Sequence, residues 1–100
     1  EDIVSMCTNA ALRLHNMIEN LTNILLIEVA AALQAILLRA EMLNTNAEDL
    51  LGVETRSIVG ELIRHIQRRG IELPLRSDIY LKSYIDAVHQ ALKKKVTPQL

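Results

Sequence analysis

The stretch from Ile24 to Leu38 decides what this chain can become. Ile24-Leu25-Leu26-Ile27, Val29 to Leu33 and Ala35 to Leu38 are interrupted only by Glu28 and Gln34. On a helix, runs of that kind place apolar side chains on every side. Such a helix is either a membrane span or the centre of a large helical core. Glu28 falls near the middle of any span, where a carboxylate costs a few kcal/mol. The uninterrupted runs are also shorter than the roughly 20 residues that a crossing needs. Ala30, Ala31, Ala32 and Ala35 would let neighbouring helices approach closely. The reading is a buried bundle helix with no membrane partner.

This helix is expected to begin at Thr8 or Asn9, both good N-cap residue types, and to run over residues 8–43 before Asn44-Thr45-Asn46. At 1.5 Å per residue that is roughly 50 Å. Its first half is amphipathic, with Leu14, Met17, Ile18, Leu21 and Leu25 at helical spacing and Arg13, Asn16, Glu19 and Asn23 elsewhere. Asn44 to Gly52 reads as a connection with one short turn over Ala47 to Leu51. Thr55 to Arg69 reads as a second helix, striped by Ile58, Val59, Leu62, Ile63 and Ile66 and stopped at Gly70. Leu73-Pro74-Leu75 breaks the chain. Ser77-Asp78 can cap a third helix with stripe Leu81, Tyr84, Ile85, Val88 and Leu92, ending before Thr97-Pro98; a restart at Ser83, with Asp86 in a capping-box role, is the alternative. Residues 54–97 thus hold the terminal helices. No strand is signalled. The fold class is all-α: one long central helix plus two shorter helices, a fragment of an elongated helical bundle.

Composition narrows the function classes. Half of the 100 residues are hydrophobic, which is hard to hide inside a monomer this small and favours self-association through the long helix. The net charge of −1 and the 2% aromatic content, Tyr80 and Tyr84, argue against a nucleic-acid partner. Lys93-Lys94-Lys95 sits where a helix should end, and cations there complement the helix dipole. Cys7 is the single cysteine, which fits a reducing, cytoplasmic setting. The opening at Glu1, without an initiator Met or a secretory segment, reads as a cut inside a longer chain. His15, His65 and His89 lie on three different helices and none has a His or Cys at one-turn spacing, so no metal site is expected. Phosphate loops and nucleophile elbows are missing as well.

The unusual stretch is the start, Glu1-Asp2-Ile3-Val4-Ser5-Met6. A carboxylate at the positive end of a long helix can act as a base or hold a cationic ligand group; the plain alternative is a solvated, acidic chain end. The segment, followed by Cys7-Thr8 and Ala10-Ala11, resembles the aromatic amino acid ammonia-lyases, the family acting on histidine, phenylalanine and tyrosine. The resemblance continues through Glu19-Asn20-Leu21, Ile27-Glu28, Ala31-Ala32-Leu33-Gln34-Ala35, Thr55-Arg56 and Ile63-Arg64, with Asp78 and Asp86 at acidic positions of the terminal helices.

The resemblance implies a mainly helical, homotetrameric enzyme several times this length, which eliminates ammonia from an amino acid to give a trans-unsaturated acid. Its electrophile is a methylidene-imidazolone made from an internal Ala-Ser-Gly, which does not occur in this sequence. The family's catalytic tyrosine also lies upstream of the matching region. The chain therefore looks like the C-terminal portion of a lyase of histidine catabolism, inert alone and carrying no cofactor-binding residue, with residues 1–7 derived from the active site; the alternative from another class, resting on the same apolar helix, is a non-catalytic helical association module. Only Glu1 carries over as a site residue, contacting substrate or departing ammonia. Histidine-specific members have Glu at the matching position, whereas phenylalanine- and tyrosine-specific ones usually have Gln. A carboxylate can hold an imidazole or an ammonium, and an amide removes that charge. Ile3 replaces the His common in histidine lyases and is compatible with tyrosine-type lyases or aminomutases; Cys7 replaces the usual Gly or Ala. Asp2 and Ser5 are expected to shape the turn, and Met6 to pack.

Overall fold

The computed structural model describes residues 2–96, with side chains over 6–94 except that of Ile79. Three helices and two single 3-10 turns follow one another, and no strand occurs among the described residues. The all-α class and the three-helix order are as the sequence predicts.

Helix α1 spans Asp2–Met42. It starts six residues before the expected cap at Thr8, so residues 2–7 are helical rather than a separate lead-in segment. Thr8 and Asn9 are good caps only where the preceding backbone has reason to leave the helix. Neither glycine nor proline occurs before Gly52, and nothing in Ile3-Val4-Ser5-Met6 forces a break. The other end is sharply specified. Asn44 takes a left-handed conformation at φ 57°, which asparagine tolerates better than most residues. Its N–H donates to the Glu41 carbonyl at 3.2 Å while that of Thr45 donates to Ala40 at 2.9 Å. These are the two bonds of a Schellman closure.

A 3-10 turn over Ala47–Leu50 leads to Gly52, the N-cap of α2 (Val53–Arg68). Helix α2 begins two residues earlier than expected, because Gly52 accepts the first helical bond, from Arg56 N–H at 2.8 Å. Gly60 sits where the 3-10 turn crosses the helix: a Cβ there would lie 3.0 Å from Glu48 Oε1. Gly70, at φ +82°, ends α2 as the sequence suggests. A second 3-10 turn, Asp78–Tyr80, opens directly into α3 (Leu81–Val96), so the restart at Ser83 is not used.

The core forms where α2 and α3 meet the second half of α1. Leu26, Ala30 and Leu33 of α1 pack with Val59, Leu62 and Ile66 of α2 and with Tyr84, Ala87 and Val88 of α3. Five of these, Val59, Leu62, Ile66, Tyr84 and Val88, lie in the stripes read from the sequence. Within the part of α1 that is apolar on every side, this chain covers one side only: Leu26, Ala30 and Leu33 are buried while Ile24, Ile27, Ala31 and Leu38 are exposed. From Met6 to Leu25 every residue is exposed, because two 16-residue helices are too short to line a 41-residue one. The molecule is accordingly elongated, 64 × 30 × 22 Å.

Truncating Ile66, which is fully buried, to alanine should lower the unfolding free energy by about 2–5 kcal/mol. The same change at Met42, 81% exposed, should move it by less than about 0.5 kcal/mol. Urea denaturation followed by circular dichroism checks both.

Candidate functional site

Glu1, the residue singled out as a substrate or ammonia contact, lies outside the described residues. What the structure places is its setting: the helical backbone of α1 continues without interruption from Asp2 into the body of the helix. Just past this head, Met6, Asn9, Ala10, Arg13, Leu14 and Met17 line an open depression of about 480 Å³ along one side of α1. Met6 is 69% exposed, so within this chain it does not pack as expected. Cys7 is a free, exposed thiol.

The remaining residues quoted for the resemblance separate into two groups. Glu19, Asn20 and Glu28 are exposed on α1, with Glu19 Oε1 3.3 Å from His15 Nε2. Leu33 and Gln34 instead organise the fold. The Gln34 amide uses both its ends on the backbone of one residue: Nε2 donates to the Leu75 carbonyl at 2.9 Å, and Leu75 N–H donates to Oε1 at 3.0 Å. This fixes the Leu73-Pro74-Leu75 segment against α1. About two turns further along α1, Arg76 Nη2 lies 2.7 Å from both Glu41 oxygens, an exposed pair that contributes little. Arg56, expected at the opening of α2, donates to the Leu51 carbonyl at 3.1 Å and closes the preceding turn. Asp78 and Asp86 are both exposed.

Tyr84 donates its hydroxyl proton to the Ala30 carbonyl. Burial pushes its ionisation up to about 12, against a weaker opposing pull from the Gln34 backbone N–H. This hydroxyl is a structural donor, unsuited to act as a base near neutrality.

The three histidines stay apart on α1, α2 and α3, and among the described residues no three His, Cys, Asp or Glu side chains converge as a metal site would require. His65 nevertheless has surroundings that the sequence reading missed. It faces a groove between α2 and α3, and its Nε2 is sealed from solvent without a hydrogen-bond partner. Burial holds its pKa below the ordinary imidazole value, reinforced by the charges of Lys94, Arg69 and Arg68. Basic residues one to four positions away on α2 were visible in the sequence. The contribution of Lys94 from α3 was not.

The family model for aromatic amino acid lyases matches residues 1–62. The chain belongs to the aromatic amino acid lyase family. Histidine ammonia-lyases of Legionella pneumophila strains Corby, Lens and Paris are each 43% identical to it over 61 residues, which is 61% of this chain and 12% of theirs. The chain thus spans a small part of the length of the curated relatives it matches. No solved structure matches it. The family match ends at Leu62, so Ile63-Arg64, Asp78 and Asp86 lie beyond it.

His65 gives this lyase-family chain a pH dependence of known sign. Its folded pKa lies below its unfolded one, so the folded chain binds the proton less readily. The associated stability is complete above about pH 6.5, the ordinary imidazole value, and declines as the pH falls below it. Urea midpoints at pH 7.5 and 5.5 should therefore differ more for the native sequence than for His65→Gln.

Proposed function

We propose that this chain is the C-terminal part of a cytoplasmic histidine ammonia-lyase-like enzyme, whose complete form eliminates ammonia from L-histidine to give urocanate. The observation that carries the reading is Glu1-Asp2-x-Val4-Ser5-Met6 at the head of α1, inside the segment that matches the family. Glu1 is the substrate-side residue in this reading. Its carboxylate accepts hydrogen bonds from the imidazole or the departing ammonium, which an amide at the same place cannot match in charge. The electrophilic methylidene-imidazolone that accepts electron density from the substrate would be supplied by sequence beyond these residues, since this chain holds no Ala-Ser-Gly. No described residue here is assigned to hold it, and the 100 residues alone are inert.

The second element of the reading is assembly. Leu14, Met17, Ile18, Leu21, Ile24 and Leu25 are each more than half exposed. They cluster on a side of α1 turned roughly a third of a turn away from Leu26, Ala30 and Leu33, counted at 100° per residue. By length and composition α1 would also suit a membrane, and only 17% of its most apolar window is buried within the chain. The polar Asn16, Glu19, Asn20 and Asn23 in the same half, and Glu28 beyond them, favour protein over lipid as the covering. Further copies of the same subunit fit best, as in a homotetramer. Ile3 supports a second reading, a tyrosine- or phenylalanine-type lyase or aminomutase, which differs in product.

The parent reading frame should encode Ala-Ser-Gly upstream; its absence would sink the proposal. Combined with that upstream part, the chain should release ammonia and urocanate from histidine. Glu1→Gln should then lower kcat/KM at least about tenfold, the scale of one charge-assisted contact. Cinnamate or coumarate, or a β-amino acid, as the product would select the second reading.

The isolated chain should self-associate in light scattering. Leu21→Asp should shift it toward monomer with its helicity retained. Leu33→Asp, which buries an unpaired charge in the core, should unfold it.

A further inference from the structure

The groove between α2 and α3 has no role in the lyase reading. It encloses about 390 Å³, within the size range of small-molecule sites. Leu62 and Leu92 contribute to an apolar floor, and Arg64, Arg68 and Lys94 stand on its rim. His65 lies among them with Nε2 closed off from water and unpaired.

The charges converge as well. Lys94, Arg69 and Arg68 all act on the His65 ring. Among the described residues, none of Arg64, Arg68, Arg69 and Lys94 forms an ion pair. Glu61, the acid in the lining, is already engaged in an interaction of its own. Part of this clustering serves the helices, since Arg68 and Lys94 lie close to the C-terminal ends of α2 and α3, where cations complement the dipole. Dipole complementation does not explain why these cations share one groove with Leu62 and Leu92.

We propose that this groove binds a small phosphate-bearing ligand with an apolar body. Arg64, Arg68 and Lys94 hold the phosphate beside the His65 ring, and the body rests on Leu62 and Leu92. A phosphate suits the site better than a carboxylate does. Its double charge answers several cations, and guanidinium groups match its oxygens in pairs. Arg64, His65, Arg68 and Lys94 all lie beyond the residues that match the lyase family, so the site and the lyase reading stand or fall separately.

The test is an NMR titration of the 100-residue chain at constant ionic strength with phenyl phosphate, inorganic phosphate and acetate, following all three histidine rings. Phenyl phosphate should move the His65 ring saturably while His15 and His89 stay in place, and it should bind more tightly than inorganic phosphate. Arg68→Gln and Lys94→Gln, both at exposed positions, should each weaken binding about tenfold with helicity unchanged by circular dichroism. Equal, unsaturable movement of all three rings would overturn the proposal, as would phenyl phosphate affinity unchanged in both variants. Inorganic phosphate binding as tightly as phenyl phosphate would overturn the apolar body, and acetate binding as tightly would overturn the phosphate.

Discussion

The fold rests on one close approach, that of Tyr84 to α1 at Ala30. Ala30 is 3% exposed and Tyr84 2%, so the ring lies where a larger residue on α1 would stand. Its hydroxyl then finds the Ala30 carbonyl, which satisfies a polar group that would otherwise be buried at a cost. One turn along α1, Gln34 binds both polar groups of Leu75. The two contacts fix α3 and the segment leading into it on the same part of α1. Helix α2 then closes the core through Val59, Leu62 and Ile66. A bulky residue at position 30 would lift α3 away and leave Leu26 and Leu33 facing water.

That dependence divides α1 into two parts with different needs. Its second half presents small and apolar residues to helices of the same chain. On the side that continues this core-facing stripe toward the N-terminus stand Asn16, Glu19 and Asn23, residues that do not invite α2 or α3 to extend further. Most apolar residues of the first half point elsewhere, and among the described residues no element reaches them. A helix whose apolar stripe changes sides part-way along is suited to pass from one set of neighbours to another. This is the expected behaviour of a long stave in a larger bundle, and it is why a single chain can bury only part of the helix.

What the sequence made legible follows the range of the interactions involved. Stripes at helical spacing identified Val59, Leu62, Ile66, Tyr84 and Val88 because each is specified by neighbours three or four residues away. Gly70 and Asn44 marked helix ends through local backbone preference. The cap at Thr8 failed because residue type alone does not show whether the preceding chain leaves the helix. Which side of the all-round apolar part of α1 this chain covers was not legible, because burial depends on partners, which a single sequence does not contain. The Gln34–Leu75 bonds join residues 41 positions apart, and the His65 groove needs Lys94 from another helix; neither separation leaves a local pattern. Glu1 was legible only by resemblance, and it lies outside the described residues.

The boundary of sequence similarity is not a boundary of structure. The family match stops at Leu62, yet α2 runs from Val53 to Arg68 without a break, and Leu62 and Ile66 belong to the same buried cluster. Tyr84, Ala87 and Val88, all beyond the match, cover the part of α1 that lies within it. Residues 1–62 alone would leave Ala30 without the ring that covers it and Gln34 without the peptide it binds. The unmatched part is therefore needed to complete the core begun by the matched part. Residues whose only duty is to be apolar and of suitable size can change widely while keeping that role, so a core can outlast the similarity that first revealed the family.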